Sequence, residues 1–236
     1  MHAELTVRDV FYSPGRFPLL RGINLTVEAG VIILISGRSG SGKSSLLEIC
    51  AGLKRPDRGT IFWGTTDIAR LSREELLVAR QRIGYVFQQH ALIANYSVFE
   101  NIALPLRSKG TFSEYEIGVR VRTVMEEVAL FGVEHHFPES LSGGQLRSAS
   151  IARALVTDPD ILFVDEPAGG QDPDGVAGIR GVLIDQQRRR RKTIVSVSHD
   201  PDLWEPLACG KYILRDGRLE MVSGSTTDRL PTEIHA

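Results

Sequence analysis

The segment Gly37-Arg-Ser-Gly-Ser-Gly-Lys-Ser44 constrains this chain more than any other, because a GxxxxGKS string works when it joins a buried strand to a helix. Before it, Val31 to Ile35 is a continuous apolar run, as in parallel strands covered on both faces. After it, Leu46, Leu47 and Ile49 open a helix. Glycines let the backbone wrap tightly enough for its N–H groups to face phosphate, and the helix N-terminus adds positive potential there. The candidate cradle is Gly37, Arg38, Ser39, Gly40, Ser41, Gly42, Lys43, Ser44 and Ser45. Lys43 is expected to reach the β- and γ-phosphates of ATP, and Ser44 to ligate the Mg2+ that bridges them.

A second apolar strand, Ile161-Leu-Phe-Val, ends in Asp165 and Glu166. Alone, such a strand end is more often solvent-facing. Beside a phosphate cradle it reads as a magnesium-holding Asp165 and a Glu166 that orients or deprotonates the attacking water. A third buried run, Ile194 to Val197, also ends near a polar residue, His199, so strand C-termini mark the site.

The third motif is Leu141-Ser-Gly-Gly-Gln145, followed by a helical run through Ile151, Ala152 and Leu155. Ser142, Gly143, Gly144 and Gln145 make a second phosphate site at a helix N-terminus, redundant in one copy but useful across a dimer. With this string the chain resembles the ABC transporter ATPases over residues 3 to 222. The resemblance implies that the LSGGQ of one subunit closes over ATP held by the other. It implies further roles for individual residues. Tyr12, with Phe11 as the alternative, corresponds to the aromatic that stacks on adenine. Gln88, in Tyr85-Val-Phe-Gln-Gln89, corresponds to the glutamine contacting Mg2+ and water. His199, in Ser196-Val-Ser-His-Asp200, corresponds to the histidine contacting the γ-phosphate. Asp172 corresponds to the D-loop aspartate that signals across the dimer. Two positions depart from the pattern: Ala168-Gly-Gly-Gln-Asp172 replaces the usual D-loop, and Ser148 stands where arginine is usual. The Gly-Gln-Asp-Pro form, with Phe87-Gln-Gln-His-Ala-Leu-Ile and Ser97-Val-Phe-Glu-Asn-Ile-Ala-Leu-Pro-Leu106, resembles the ATPases of Mla-type phospholipid transporters, which work with MCE proteins.

The expected fold is α/β: a P-loop NTPase (RecA-like) core with a mainly parallel sheet, an N-terminal antiparallel β subdomain and an inserted α-helical subdomain. Leu5, Val7 and Val10, then Ile23, Leu25 and Val27, alternate as two strands joined by a turn at Ser13, Pro14 and Gly15. The helical subdomain spans about 88–155 and includes a helix over Tyr115 to Phe131 with apolar positions Ile117, Val121, Val124, Val128 and Phe131. A further helix covers Ile179 to Gln187. The run Arg188 to Lys192 reads as a solvated helix end rather than a headgroup site. Residues 1–224 form one ATPase domain and 225–236 a polar tail.

With 28 basic and 29 acidic residues, no global field marks a nucleic-acid coat. Cys50 and Cys209 lack metal or disulfide spacing. No run is long enough to span a bilayer, and Met1 to Arg8 does not read as a signal peptide. The expected partners are a second copy, an integral-membrane permease docking near residues 88–106, where Leu92, Ile93, Tyr96 and Phe99 either line a groove or pack internally, and an MCE-type component; the expected location is the cytoplasmic face of the inner membrane. Competing readings are an ATPase of a lipoprotein-releasing, macrolide-exporting or cell-division complex, and a binding module using ATP as glue. Coiled-coil DNA-maintenance ATPases and translation-associated proteins are disfavoured, because Ser44 to Leu141 leaves no room for a long coiled coil and one cassette is present.

Overall fold

The computed structural model describes residues 5–169, 171–199 and 208–224. The expectations for Met1 to Glu4 and for the 225–236 tail lie outside the described residues. Two sheets organise the rest. The smaller pairs β1 (Leu5–Tyr12) with β2 (Leu20–Val27) on one side and β4 (Arg58–Trp63) on the other, and β5 (Thr66–Asp67) extends it, all antiparallel. The larger has the order β10 (Arg218–Gly224), β9 (Gly210–Arg215), β3 (Ile32–Ser36), β8 (Thr193–Ser198), β7 (Ile161–Asp165), β6 (Ile83–Val86). Its pairs are parallel except the β9–β10 hairpin.

Successive side chains of a strand point to opposite faces, so a strand buried on both faces must be apolar throughout. In β3, Ile33 and Ile35 join the core shared with the antiparallel sheet and α1 (Lys43–Cys50), while Ile32 and Leu34 join the core shared with the helices. Phe163 and Leu162 divide in the same way. Trp63 fastens the two regions together, donating from Nε1 to the Cys50 carbonyl at 2.8 Å. Cys50 and Cys209 are both buried, and neither forms a disulfide.

On the other face, α3 (Val98–Lys109), α4 (Glu114–Glu127) and α5 (Gly143–Leu155) pack through Ile102, Leu106, Val121, Val124 and Ile151. A short α2 (Arg73–Ala79) precedes β6, and α6 (Pro173–Arg190) covers the sheet beside β8. Serine opens four of these helices with reciprocal caps: Ser72 with Glu75, Ser97 with Glu100, Ser113 with Glu116 and Ser142 with Gln145. Among the described residues no helix is long and apolar enough to cross a membrane.

Three expectations need correction. The helix read to Phe131 ends at Glu127, because Ala129 turns left-handed at φ 53° and sends Leu130 inward; Phe131 is 67% exposed. The helix read over Ile179 to Gln187 runs from Pro173 to Arg190. In the basic run, Arg188, Arg189 and Arg191 are solvent-facing, but Lys192 is buried and pairs with Asp158 at 2.6 Å. Its helix has ended at Arg191, which caps it at φ 52°, so the chain is already turning into β8.

Gly84 fixes how closely β6 approaches α5: a β-carbon there would lie 2.4 Å from the Ala154 carbonyl oxygen. Gly84→Ala should cost about 3 kcal/mol, the upper end for overpacking, because backbone cannot step aside. That corresponds to a fall in Tm of about 6–12 °C. Gly178, inside α6 with open space around it, gives the opposite sign: Gly178→Ala should stabilise by up to about 1 kcal/mol through helix propensity. Thermal melting followed by circular dichroism reads both, and equal shifts in the two variants would contradict this packing.

Candidate functional site

Four loops leave the C-terminal ends of four neighbouring strands, β3, β8, β7 and β6, and meet in one cleft of about 580 Å³. From β3 comes the loop 37–42. A β-carbon on Gly37 would lie 2.6 Å from the Leu214 carbonyl oxygen, so only glycine lets the chain turn beneath the hairpin. Gly42 is the N-cap of α1 at φ 102°. Whereas α2 to α6 have side-chain N-caps, α1 has none and carries no acidic residue in its first turn. An anion is the natural partner for amides left in that condition.

The reactive side chains converge there. Lys43 donates from Nζ to the carbonyls of Gly37 at 2.9 Å and Arg38 at 3.2 Å, and lies 3.7 Å from Glu166 Oε1. Ser44 Oγ donates to Asp165 Oδ1 at 3.1 Å. Burial pushes the Asp165 carboxyl above the usual carboxylate range, with Glu166 and Glu48 adding to the push and the Ser44 hydrogen bond and Lys43 opposing it. Added positive charge would relieve that cost. Ser44, Asp165 and Gln88 present oxygen donors only, which fit a hard divalent cation such as Mg2+.

Glu166 is buried and sits at φ 45°, a left-handed conformation that a non-glycine residue keeps only when its surroundings hold it. Its amide donates to the Val197 carbonyl at 3.0 Å, and its Oε2 accepts from the His199 amide at 3.2 Å and pairs with His199 Nδ1 at 2.8 Å. The strained backbone thereby aims the carboxylate at the space above Lys43. Gln88 and His199 line the same cleft, with Leu19, Ser39, Gly40, Gly42, Ser44 and Ser45.

Other residues singled out in the sequence lie elsewhere. No residue of the Ser142-to-Gln145 string lines the cleft. Ser142 Oγ accepts from the Gln145 amide at 3.2 Å while Gln145 Oε1 accepts from the Ser142 amide at 3.0 Å. This reciprocal cap builds a helix end at which Ser142, Gly143 and Gly144 are exposed. Asp172 is the N-cap of α6, accepting from the Gly175 amide at 2.7 Å. Tyr12 packs against the core, and Leu19 rather than Tyr12 lines the cleft. Leu92 and Phe99 also pack against the core, whereas Ile93 is exposed. Gly170 and Asp200 lie outside the described residues.

Sequence reasoning missed Arg147 and Arg153. Arg147, beside the atypical Ser148, is only 1% exposed and donates to the carbonyls of Phe87 and Gln88, each at 3.0 Å. The available signal was a charged residue on the inward stripe of a helix.

Residues 20–169 match the family described as "ABC transporter". The chain is 38% identical over 210 residues to the sulfate/thiosulfate import ATP-binding protein CysA of Xylella fastidiosa, covering 88% of this chain and 59% of that protein. It is 38% identical over 231 residues to the methionine import ATP-binding protein MetN of Bordetella pertussis, covering 97% of this chain and 62% of that protein. It thus spans about three fifths of the length of these relatives. It is 34% identical over 226 residues to the intermembrane phospholipid transport system ATP-binding protein MlaF of Haemophilus influenzae, covering 96% of this chain and 85% of that protein. Among solved structures, the dimeric bacterial ABC transporter cassette MJ0796 superposes with a TM-score of 0.86 at 31% identity, over 94% of this chain and 100% of that one. The same cassette has been seen as a dimer in a post-hydrolysis state with ADP and Pi, again at a TM-score of 0.86, 31% identity and the same coverage.

Proposed function

Because this chain belongs to the ABC transporter family of ATP-binding proteins, we propose that it binds and hydrolyses ATP as one half of a two-fold dimer and so drives a membrane partner. One observation carries the reading: the cleft is lined by a phosphate loop, Glu166, Gln88 and His199, with Asp165 behind it on Ser44, yet receives nothing from the Ser142–Gln145 helix end. A second copy supplies the missing wall, with Gly143 and Gly144 amides facing the γ-phosphate bound by the first. The dimeric MJ0796 cassettes support this arrangement. Residues 1–224 act as one cassette, peripheral to the cytoplasmic face of the inner membrane.

Within a closed dimer the roles divide. Lys43 and the amides of the loop bind the phosphates. Ser44 and Asp165, with Gln88, would hold Mg2+, which would neutralise charge on the phosphates. Glu166 takes a proton from water while His199 holds the carboxylate in position and contacts the γ-phosphate. Tyr12 stacks on adenine, and Asp172 contributes across the interface. Loss of the γ-phosphate removes the cross-link between the copies, and the dimer opens. A permease docks near residues 88–106, where Ile93 is exposed.

Phospholipid is the proposed cargo, with an MCE-type component as a further partner. The support is the Gly-Gln-Asp-Pro string and the match across 85% of MlaF. The 38% identity to CysA and MetN favours a second reading, import of a small solute. The complex purified with its membrane subunits should hydrolyse ATP only with magnesium present, and should transfer fluorescent phospholipid between vesicles without taking up labelled sulfate or methionine. Uptake of a small solute would replace the cargo reading. ATP binding with neither hydrolysis nor dimer formation, even in that complex, would sink the ATPase reading as well.

A further inference from the structure

Between β6 and α3 the chain from Phe87 to Ser97 forms neither helix nor strand, so its backbone groups must find partners elsewhere. Asn101 of α3 holds the far end, accepting from the Ile93 amide at 2.7 Å and donating to the carbonyls of Ile93, Tyr96 and Ser97, each at 3.0 Å. The near end is held by a single helix, α5. Arg147 donates to Phe87 and Gln88 as described, and Arg153 donates to the Ala91 carbonyl at 2.6 Å and to the His90 carbonyl at 3.1 Å. His90 and Ala91 stand at φ 29° and 52°, a region neither side chain favours, so the conformation depends on that grip.

These are unusual uses of arginine. Arg147 is buried without a carboxylate in hydrogen-bond contact, and its Nε has no partner among the described residues. A planar fork is the one side chain that spans two successive carbonyls from a single position. Arg147 follows the Ser142-to-Gln145 motif by two residues, and Arg153 sits roughly 9 Å further along the same helix. One rigid rod therefore has the second phosphate-binding end at its tip and the backbone of Gln88 bolted to its side.

We propose that Arg147 and Arg153 are positioning residues that tie Gln88 to α5, so that engagement of the helix tip by the other copy's nucleotide sets Gln88 in this copy's own cleft. Each ATP thus prepares the site that holds the other. The inference rests on the dimer reading above and adds the link between the two sites.

The test combines a double-mutant cycle with hydrogen exchange. Arg147→Lys keeps the charge but can grip one carbonyl at a time. It should lower kcat at least tenfold while leaving KM for ATP within about twofold, since misplacement affects the step more than binding. In a Gln88→Ala background the same change should alter kcat less than about twofold, because the carbonyl grip remains but the side chain it positions is gone. Arg153→Lys, at a less buried position, carries the same expectation if Arg147→Lys folds poorly. Hydrogen exchange gives the turnover-free arm: with ATP and magnesium on a Glu166→Gln dimer, amides 87–93 should be protected, and either lysine variant should lose that protection. A full loss of kcat in the Gln88→Ala background, or unchanged protection at 87–93, would overturn the link. If wild-type protein fails to hydrolyse ATP while the exchange pattern holds, the hydrolysis reading fails and the link stands.

Discussion

Glu166→Gln should abolish steady-state ATP hydrolysis while leaving nucleotide binding intact, and an ATP-held dimer should accumulate that wild type shows only transiently. The amide keeps the size of the side chain and one acceptor for the His199 amide, 3.2 Å away, but cannot take a proton from water. Removing a general base costs about 10²–10⁴-fold in rate. The loss should fall in kcat rather than in KM. Removing this carboxylate also takes negative charge from beside Lys43, 3.7 Å away, so ATP affinity should hold or rise. Single-turnover hydrolysis and light scattering in ATP measure the two effects. Retained hydrolysis would hand the proton to another group, and loss of both activity and dimer would mean that Glu166 shapes the fold rather than the reaction.

Lys43→Met should act in the opposite place. Lys43 is buried at the start of α1, and its Nζ is held by the carbonyls of Gly37 and Arg38. Those contacts preset the ammonium over the loop before phosphate arrives, so little ordering cost remains at binding. A charged hydrogen bond of this sort contributes about 1.5–3 kcal/mol, which weakens Kd by about 10- to 150-fold when it is lost. The charge that grows on the transferring phosphoryl group is also left unopposed, so kcat falls with it. Isothermal titration with ATP and magnesium separates this variant from Glu166→Gln. Wild-type affinity in Lys43→Met would place the phosphates elsewhere.

The fold was legible where both faces of a strand are buried. Val31 to Ile35, Ile161 to Val164 and Ile194 to Val197 are apolar because each strand lies between two cores, and all three are parallel strands of the six-stranded sheet. The strings at Gly37 to Ser44 and at Asp165-Glu166 were legible because their chemistry is local: loop, first helical turn and strand end are neighbours in sequence. What was not legible depends on contacts between distant segments. The end of α4 turned on one left-handed residue, Ala129, and the burial of Lys192 on Asp158, 34 positions earlier in the chain. Arg147 reads on paper as one more surface charge, and only the arrival of residues 87 and 88 some 60 positions away gives its guanidinium something to hold.

Of the six α-helices among the described residues, α1 alone begins without a side-chain cap, and it follows β3, the strand that meets both cores. On the proposed function, the nucleotide would be a structural part as much as a reactant. Each tenfold rise of ATP above its dissociation constant adds about 1.4 kcal/mol to the folded state. If ATP binds there, the cell's own energy charge would be part of what holds this protein together, and a starved cell would carry a softer engine than a fed one.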